Sequence, residues 1–325
     1  MRTIMDITTL LIMGLLSFGL GGCSNAQNKQ EYSNVKEIGN VPKENVDSYV
    51  YKNEGRPVYY AKYGNRGCLF ELRVNDILIT EITYPTNIGE ALITVNPAIF
   101  KSGKQTIEVH LSPIKGEEVI SNAKPFCLEI GYYDSTKEVD ESGEATWHTV
   151  FTLPDIEIPE KGLPYIDMRG EFEANVPYQY TYWDDCVDLR TIPDIEQKIV
   201  KEYEYVRKLI AQKNLEQLKK YFMPSYREFA ITIYQTKEDI ETSWKSNHNI
   251  IKEYATSELQ SIEDYRIVYS SNGRSVSLRS NKYGGFPSVL LFIRKVNNGD
   301  ELEYGYIELH LGMKKGTDKL IPLMI

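Results

Sequence analysis

The spacing of apolar residues changes period once along this chain, close to Pro193. Before that point apolar residues recur every second position, the period of a strand with one buried face. Phe70, Leu72 and Val74 alternate with Leu69, Glu71 and Arg73, and Asn75-Asp76 then leads into ILITEIT, which is a hairpin signal. Further strand-like runs stand at 91–95, 105–111, 126–133, 146–153 and 170–178, separated by Gly, Pro, Asn and Ser. After Pro193 the residues Ile195, Ile199, Tyr203, Val206 and Ile210 fall on one helical face. Asn214 with Gln217, Ser225 with Glu228 and Thr236 with Asp239 read as helix starts, so three or four helices are expected over 193–255, with Pro224 interrupting them. Strands return at 265–270 and 274–280 around Asn272-Gly273, at 288–295 and 301–311 around Asn297-Asn298-Gly299-Asp300, and at 320–325.

This pattern predicts a multidomain chain. An all-β sandwich, Ig-like or jelly-roll-like, is expected over 55–192, and an α+β domain of helices followed by an antiparallel sheet over 193–325. The stretch VNDILI followed by ITVNPAIFKSGKQTIEVHL resembles the accessory β-sandwiches of bacterial surface and sugar-active proteins. The segment YEYVRKLIAQKNLEQLKKYF (203–222) resembles the start of the cystatin-like, or nuclear-transport-factor-two-like, cone fold. That resemblance implies a cone whose candidate pocket groups here are Tyr203, Trp244, His248, Tyr269, Arg279 and His310.

Residues 7–20 are almost all apolar or small, yet too few to span a bilayer as a helix. They read as the apolar core of a signal peptide covering 1–22. Leu20-Gly21-Gly22-Cys23 follows directly and resembles the lipobox of bacterial lipoproteins. The resemblance implies a diacylglycerol thioether on Cys23 and an N-linked acyl chain such as palmitate, and two or more chains anchor a protein stably. The expected location is then the cell envelope, in the outer membrane if the source is Gram-negative. Residues 23–54 are rich in Asn, Lys, Glu and Ser and read as a flexible tether. Of the remaining cysteines Cys68, Cys127 and Cys186, at most one pair can form, and Cys68 with Cys127 is the candidate disulfide, its connectivity left open by sequence.

The formal net charge is −9, which argues against a nucleic-acid backbone as the partner. Residues 134–188 hold 14 acidic against 3 basic side chains, whereas 193–325 sum to +2. Two acidic groups stand out, Asp140, Glu141 and Glu144, and Asp184, Asp185 and Asp188. Such a field steers a basic protein partner toward its surface. Tyr178, Tyr180 and Tyr182 would line one face of a strand beside Trp183, offering rings to a glycan or a protein interface, or packing between the domains. Scattered His and the absence of a CxxC pair argue against a metal site, and no cofactor motif is present.

Short motifs for nucleophile, phosphate and metal chemistry are absent, although a carboxylate-pair hydrolase leaves no such signature. The reading this supports is a lipid-anchored binding protein whose acidic sandwich face meets a protein partner. Immunity lipoproteins that neutralise an incoming toxin share that design. A carbohydrate or small-ligand binder and a carboxylate-dependent hydrolase are the alternatives.

Overall fold

The computed structural model describes residues 49–134, 136, 146–254, 258–282, 288–296 and 301–324. Its sheets are antiparallel throughout. The first half holds β1 (Pro57–Asn65), β2 (Cys68–Val74), β3 (Ile77–Ile82), β4 (Ile88–Thr94), β5 (Gly103–Pro113), β6 (Phe126–Asp134), β7 (His148–Thr152) and β8 (Ile166–Ala174). They form two four-stranded sheets, ordered β4-β1-β6-β7 and β3-β2-β5-β8. Their inner faces meet through ring contacts, Tyr63 on Phe70 and Tyr59 on Phe172. Alternation sets this geometry: Tyr59, Ala61 and Tyr63 point inward from β1, while Tyr60 and Lys62 point away. The Asn75-Asp76 hairpin forms with both residues at positive φ, 52° and 59°, as a tight turn between twisted strands requires.

The second half opens with α1 (Ile195–Ala211), α2 (Leu215–Thr232) and α3 (Lys237–Tyr254). Asn214 caps α2 by accepting from the Gln217 N–H at 3.2 Å, and Thr236 and Asp239 cap α3 reciprocally. Pro224 does not end a helix. It lies inside α2, and Ser225 is no cap, since its hydroxyl donates to the Phe222 carbonyl one turn back at 3.0 Å. The buried face of α2, with Leu218, Phe222, Tyr226 and Phe229, outweighs the lost backbone bond. The strands β9 (Glu258–Leu259), β10 (Tyr265–Ser270), β11 (Ser275–Ser280), β12 (Leu290–Val296), β13 (Glu301–Ile307), β14 (His310–Met313) and β15 (Leu320–Leu323) follow. They form sheets ordered β10-β11-β14-β15 and β13-β12-β9.

One apolar core runs through both halves. The halves are also bound by polar contacts. Buried Asn96 accepts from the Tyr59 N–H at 2.5 Å and donates to the carbonyls of Pro57 at 3.1 Å and Thr232 at 2.8 Å, tying β1 to α2. The turn between β10 and β11 packs on the stretch leading to α1, where the Leu189 N–H donates to the Gly273 carbonyl. Gly273 has φ of +81° there, and a Cβ would stand 2.0 Å from Asp188 Oδ1.

Candidate functional site

The segment from Asn175 to Tyr182 is irregular chain, because β8 ends at Ala174. Tyr178, Tyr180 and Trp183 are fully or almost fully buried, and only Tyr182 stays half-exposed. The expected open aromatic face is therefore absent. The Tyr178 hydroxyl donates to the Asn96 carbonyl at 3.1 Å, and its ring meets Tyr234. The Trp183 indole N–H donates to the Tyr180 hydroxyl, and Phe100 packs on both rings. These residues join sheet to helix. Burial pushes the Tyr178 and Tyr180 hydroxyls far above their usual range, so both stay neutral.

The acidic groups fare differently. Asp140, Glu141 and Glu144 lie outside the described residues, as does Cys23. Asp184 and Asp185 are exposed. Asp188 is committed locally, because its carboxylate accepts from the Arg190 side chain at 2.8 and 2.7 Å and from the Arg190 N–H at 3.0 Å. The side-chain bonds from Arg190 hold its pKa below the usual range. Along the rest of this region Asp155, Glu157, Glu160, Asp167, Glu171 and Glu173 are exposed. Some carry counter-charges: Lys104 reaches Glu171 at 2.8 Å and His110 reaches Asp167 at 2.5 Å. Among the described residues no three His, Cys, Asp or Glu converge to hold a metal ion.

Three of the candidate pocket groups do converge, in a closed and charged cluster. Arg279 on β11 is 3% exposed, and its Nη1 donates to Glu308 at 2.9 Å while its Nε stands 3.5 Å from Glu81 on β3. Arg266 on β10 bonds the other oxygen of Glu81. His310 Nε2 lies 3.6 Å from Glu308, and its Nδ1 is buried without a partner. The Tyr203 hydroxyl donates to the Leu309 carbonyl and accepts from the Leu278 N–H at 2.8 Å. Burial works against the charge on Glu308, but Arg279 and His310 overcome it and hold the carboxyl at about 2. Burial also opposes the Arg279 charge, yet Glu308 and Glu81 raise its pKa. Burial lowers His310, which Glu308 only partly offsets, so the ring is neutral at pH 7. This arrangement clamps β3 to the second half.

The other candidate pocket groups stand apart. Trp244 on α3 floors an open groove of about 380 Å³ beside Lys219 and Glu241. Tyr269 is half-buried near Asp188 and Glu196. The side chain of His248 lies outside the described ones.

Cys68 and Cys127 do not pair, and Cys186 is also free. Alternation is the reason. Cys68 points into the core from β2, with its thiol donating to the Pro125 carbonyl at 3.2 Å, whereas Cys127 faces outward from β6 between buried Phe126 and Leu128. Burial pushes the Cys68 thiol up to about 11.

Sequence reasoning missed β1 and, with it, an aromatic group on the outer face of its sheet. Tyr60, Tyr133 and Trp147 adjoin there, with ring centroids 6.0 and 5.0 Å apart, and none of them belongs to the core. The indole rests on Gly131, where a Cβ would come within 2.3 Å of the ring. Its N–H donates to Glu129 at 2.5 Å, and Glu129 also pairs with Lys62 at 3.3 Å. The alternation of PVYYAKY was the available signal. No family model matches this chain, and no curated protein or solved structure is significantly similar to it.

Proposed function

We propose that this protein is a lipid-anchored extracytoplasmic binding protein, held by Cys23, that meets a basic protein partner through its acidic surface. The observation that carries the reading is the exposure of eight carboxylates between Asp155 and Asp185 (Asp155, Glu157, Glu160, Asp167, Glu171, Glu173, Asp184 and Asp185) against exposed Lys161 and Arg169. Charge of one sign on exposed side chains raises encounter rates with cationic partners and weakens in salt. A toxin-neutralising immunity lipoprotein is the subtype that fits this design. The same proposal places the first half among Ig-like or jelly-roll-like sandwiches and the second among cystatin-like domains. No helix among the described residues is long and apolar enough to cross a membrane.

The test is capture of a partner by mature protein carrying Cys23→Ser, at low and moderate salt. A stoichiometric partner lost in salt and lost on combined Asp155→Lys, Glu157→Lys and Glu160→Lys supports the reading. Capture that ignores both changes refutes it.

A second reading, a carbohydrate binder, moves from the buried Tyr178–Trp183 segment to the Trp147 group. The half-exposed indole beside the Lys62 and Glu129 pair has the ring and hydrogen-bonding groups that a neutral pyranose needs. The chain has 3 Trp, and Trp183 and Trp244 are buried, so an emission change on adding cellotetraose or chitotetraose reports on Trp147. Unchanged emission with both, or a change that survives Trp147→Ala, counts against it.

A further inference from the structure

The sandwich has four outer strands, and three of them are blunted. The pairings of β4 with β1, of β3 with β2 and of β7 with β6 each carry a register irregularity. The β3 edge is also covered, because the Ser271 N–H donates to the Asp76 carbonyl and Arg266 reaches Glu81. Edge strands expose unpaired N–H and C=O groups, and proteins usually protect them with bulges, proline, charged side chains, short length or a covering element.

β8 has no bulge, proline or lysine; its protection is limited to the charges of Asp167, Arg169, Glu171 and Glu173, and β7 meets it through Phe151 against Gly170. β8 runs for 9 residues and pairs with β5 in unbroken register from Ile166 to Ala174. Among the described residues its far side meets no backbone partner. Every second residue of an antiparallel strand directs its N–H and C=O to one side, so this edge offers a ladder ready for another strand. Outward along it stand Asp167, Arg169, Glu171 and Glu173, a surplus of negative charge. The ion pair of Lys104 with Glu171 is 62% and 56% exposed, and such a pair exchanges readily for another cation.

We propose that the β8 edge is the docking element for the partner, which adds an extended segment of its own as a ninth strand. The inference rests on the acidic-surface reading above and specifies how that surface is used. Charge defines the occupant. Lys or Arg at alternate positions of the incoming strand meets Asp167, Glu171 and Glu173, and β-branched residues between them lie over half-buried Ile166 and Met168. A second copy of this chain brings the same negative surplus and is disfavoured by it. Main-chain hydrogen bonds supply attachment without a pocket, and side-chain charge supplies selectivity.

The experiment uses isotope-labelled mature protein with Cys23→Ser and two blocked octapeptides, one alternating Lys with Val or Thr and one with Glu in place of Lys. The expected result is amide shifts across 166–174 with the basic peptide alone, weakening in salt, and a loss of about tenfold or more in affinity on Glu171→Lys with Glu173→Lys. Proline at Arg169 or at Gly170 separates backbone from charge, since one of the two removes an N–H from the free edge. Equal binding of the acidic peptide, or binding untouched by both prolines, overturns the proposal. Salt-sensitive shifts confined to 154–160 overturn edge docking while leaving the acidic-surface reading standing. A dimer in sedimentation that Glu171→Lys dissociates makes a second copy the occupant and also overturns it.

Discussion

Replacing Arg279 by Met removes the one guanidinium that faces both Glu308 and Glu81 in the clamp between β3 and the second half. Glu81 keeps Arg266, while Glu308 keeps His310, which loses the Arg279 charge that helps to hold it neutral. Breaking a fully buried pair by removing one partner costs about 3–5 kcal/mol, and the 28% side-chain exposure of Glu308 places this loss at the low end, about 3 kcal/mol. The pH dependence gives an independent measure. Glu308 falls from 4.5 unfolded to about 2 folded, which corresponds to about 3 kcal/mol at 1.36 kcal/mol per pH unit. Its sign is that of a depressed carboxyl: the stability is fully present above pH 4.5 and is lost as pH falls toward 2. His310, lowered from 6.5, adds stability that is present above that pH and lost below it. In Arg279→Met, burial without the guanidinium raises the Glu308 carboxyl, so protonation favours the folded state and the slope below pH 6 flattens or reverses. Urea unfolding followed by circular dichroism between pH 7 and about 2 measures both effects. A loss under about 1 kcal/mol at pH 7, or an unchanged acid slope, would refute the electrostatic account. Adding Glu81→Leu and Glu308→Leu to Arg279→Met should recover most of the loss; if it does not, the cost lies in packing.

Other consequences are simpler to measure. Asn96→Ala strands the Tyr59 N–H and takes a donor from the Thr232 and Pro57 carbonyls, of which Pro57 keeps the Tyr234 hydroxyl, and thermal unfolding should report a loss of about 2–3 kcal/mol. Gly131→Ala places a methyl against the indole of Trp147, so the emission maximum should shift, with about 1–3 kcal/mol of destabilisation. In protein with Cys23→Ser, a thiol reagent should titrate Cys127 alone in the native state and all of Cys68, Cys127 and Cys186 in denaturant without reductant. Fewer thiols in denaturant would mean that a disulfide forms after all.

Local order was legible where one residue type decides it. Asn75-Asp76 turns because both residues tolerate positive φ, and Thr236 with Asp239 caps because their side chains reach each other's backbone. Pro224 was misread because its local penalty is smaller than the burial of the helix face around it. Period-two spacing at Tyr178, Tyr180 and Tyr182 suggested a strand, but spacing alone does not distinguish a strand from irregular chain wedged between elements. Glu308 escaped notice because its meaning depends on Arg279, which reaches it only after β11 pairs with β14.

The buried polar groups also say why the two halves act together. A lone Asn96 or Glu81 in an apolar core is costly, since each must be stripped of water before it gains a partner. Here the partners of each come partly from the other half: Thr232 for Asn96, and Arg266 with Arg279 for Glu81. Separating the halves would leave these groups unsatisfied on one side and expose Tyr178 and Trp183 on the other. The joint is therefore held by polar pairing that only one mutual orientation satisfies. Attachment of the second half at β3 leaves β8, at the opposite edge of the same sheet, with no strand paired on its far side among the described residues.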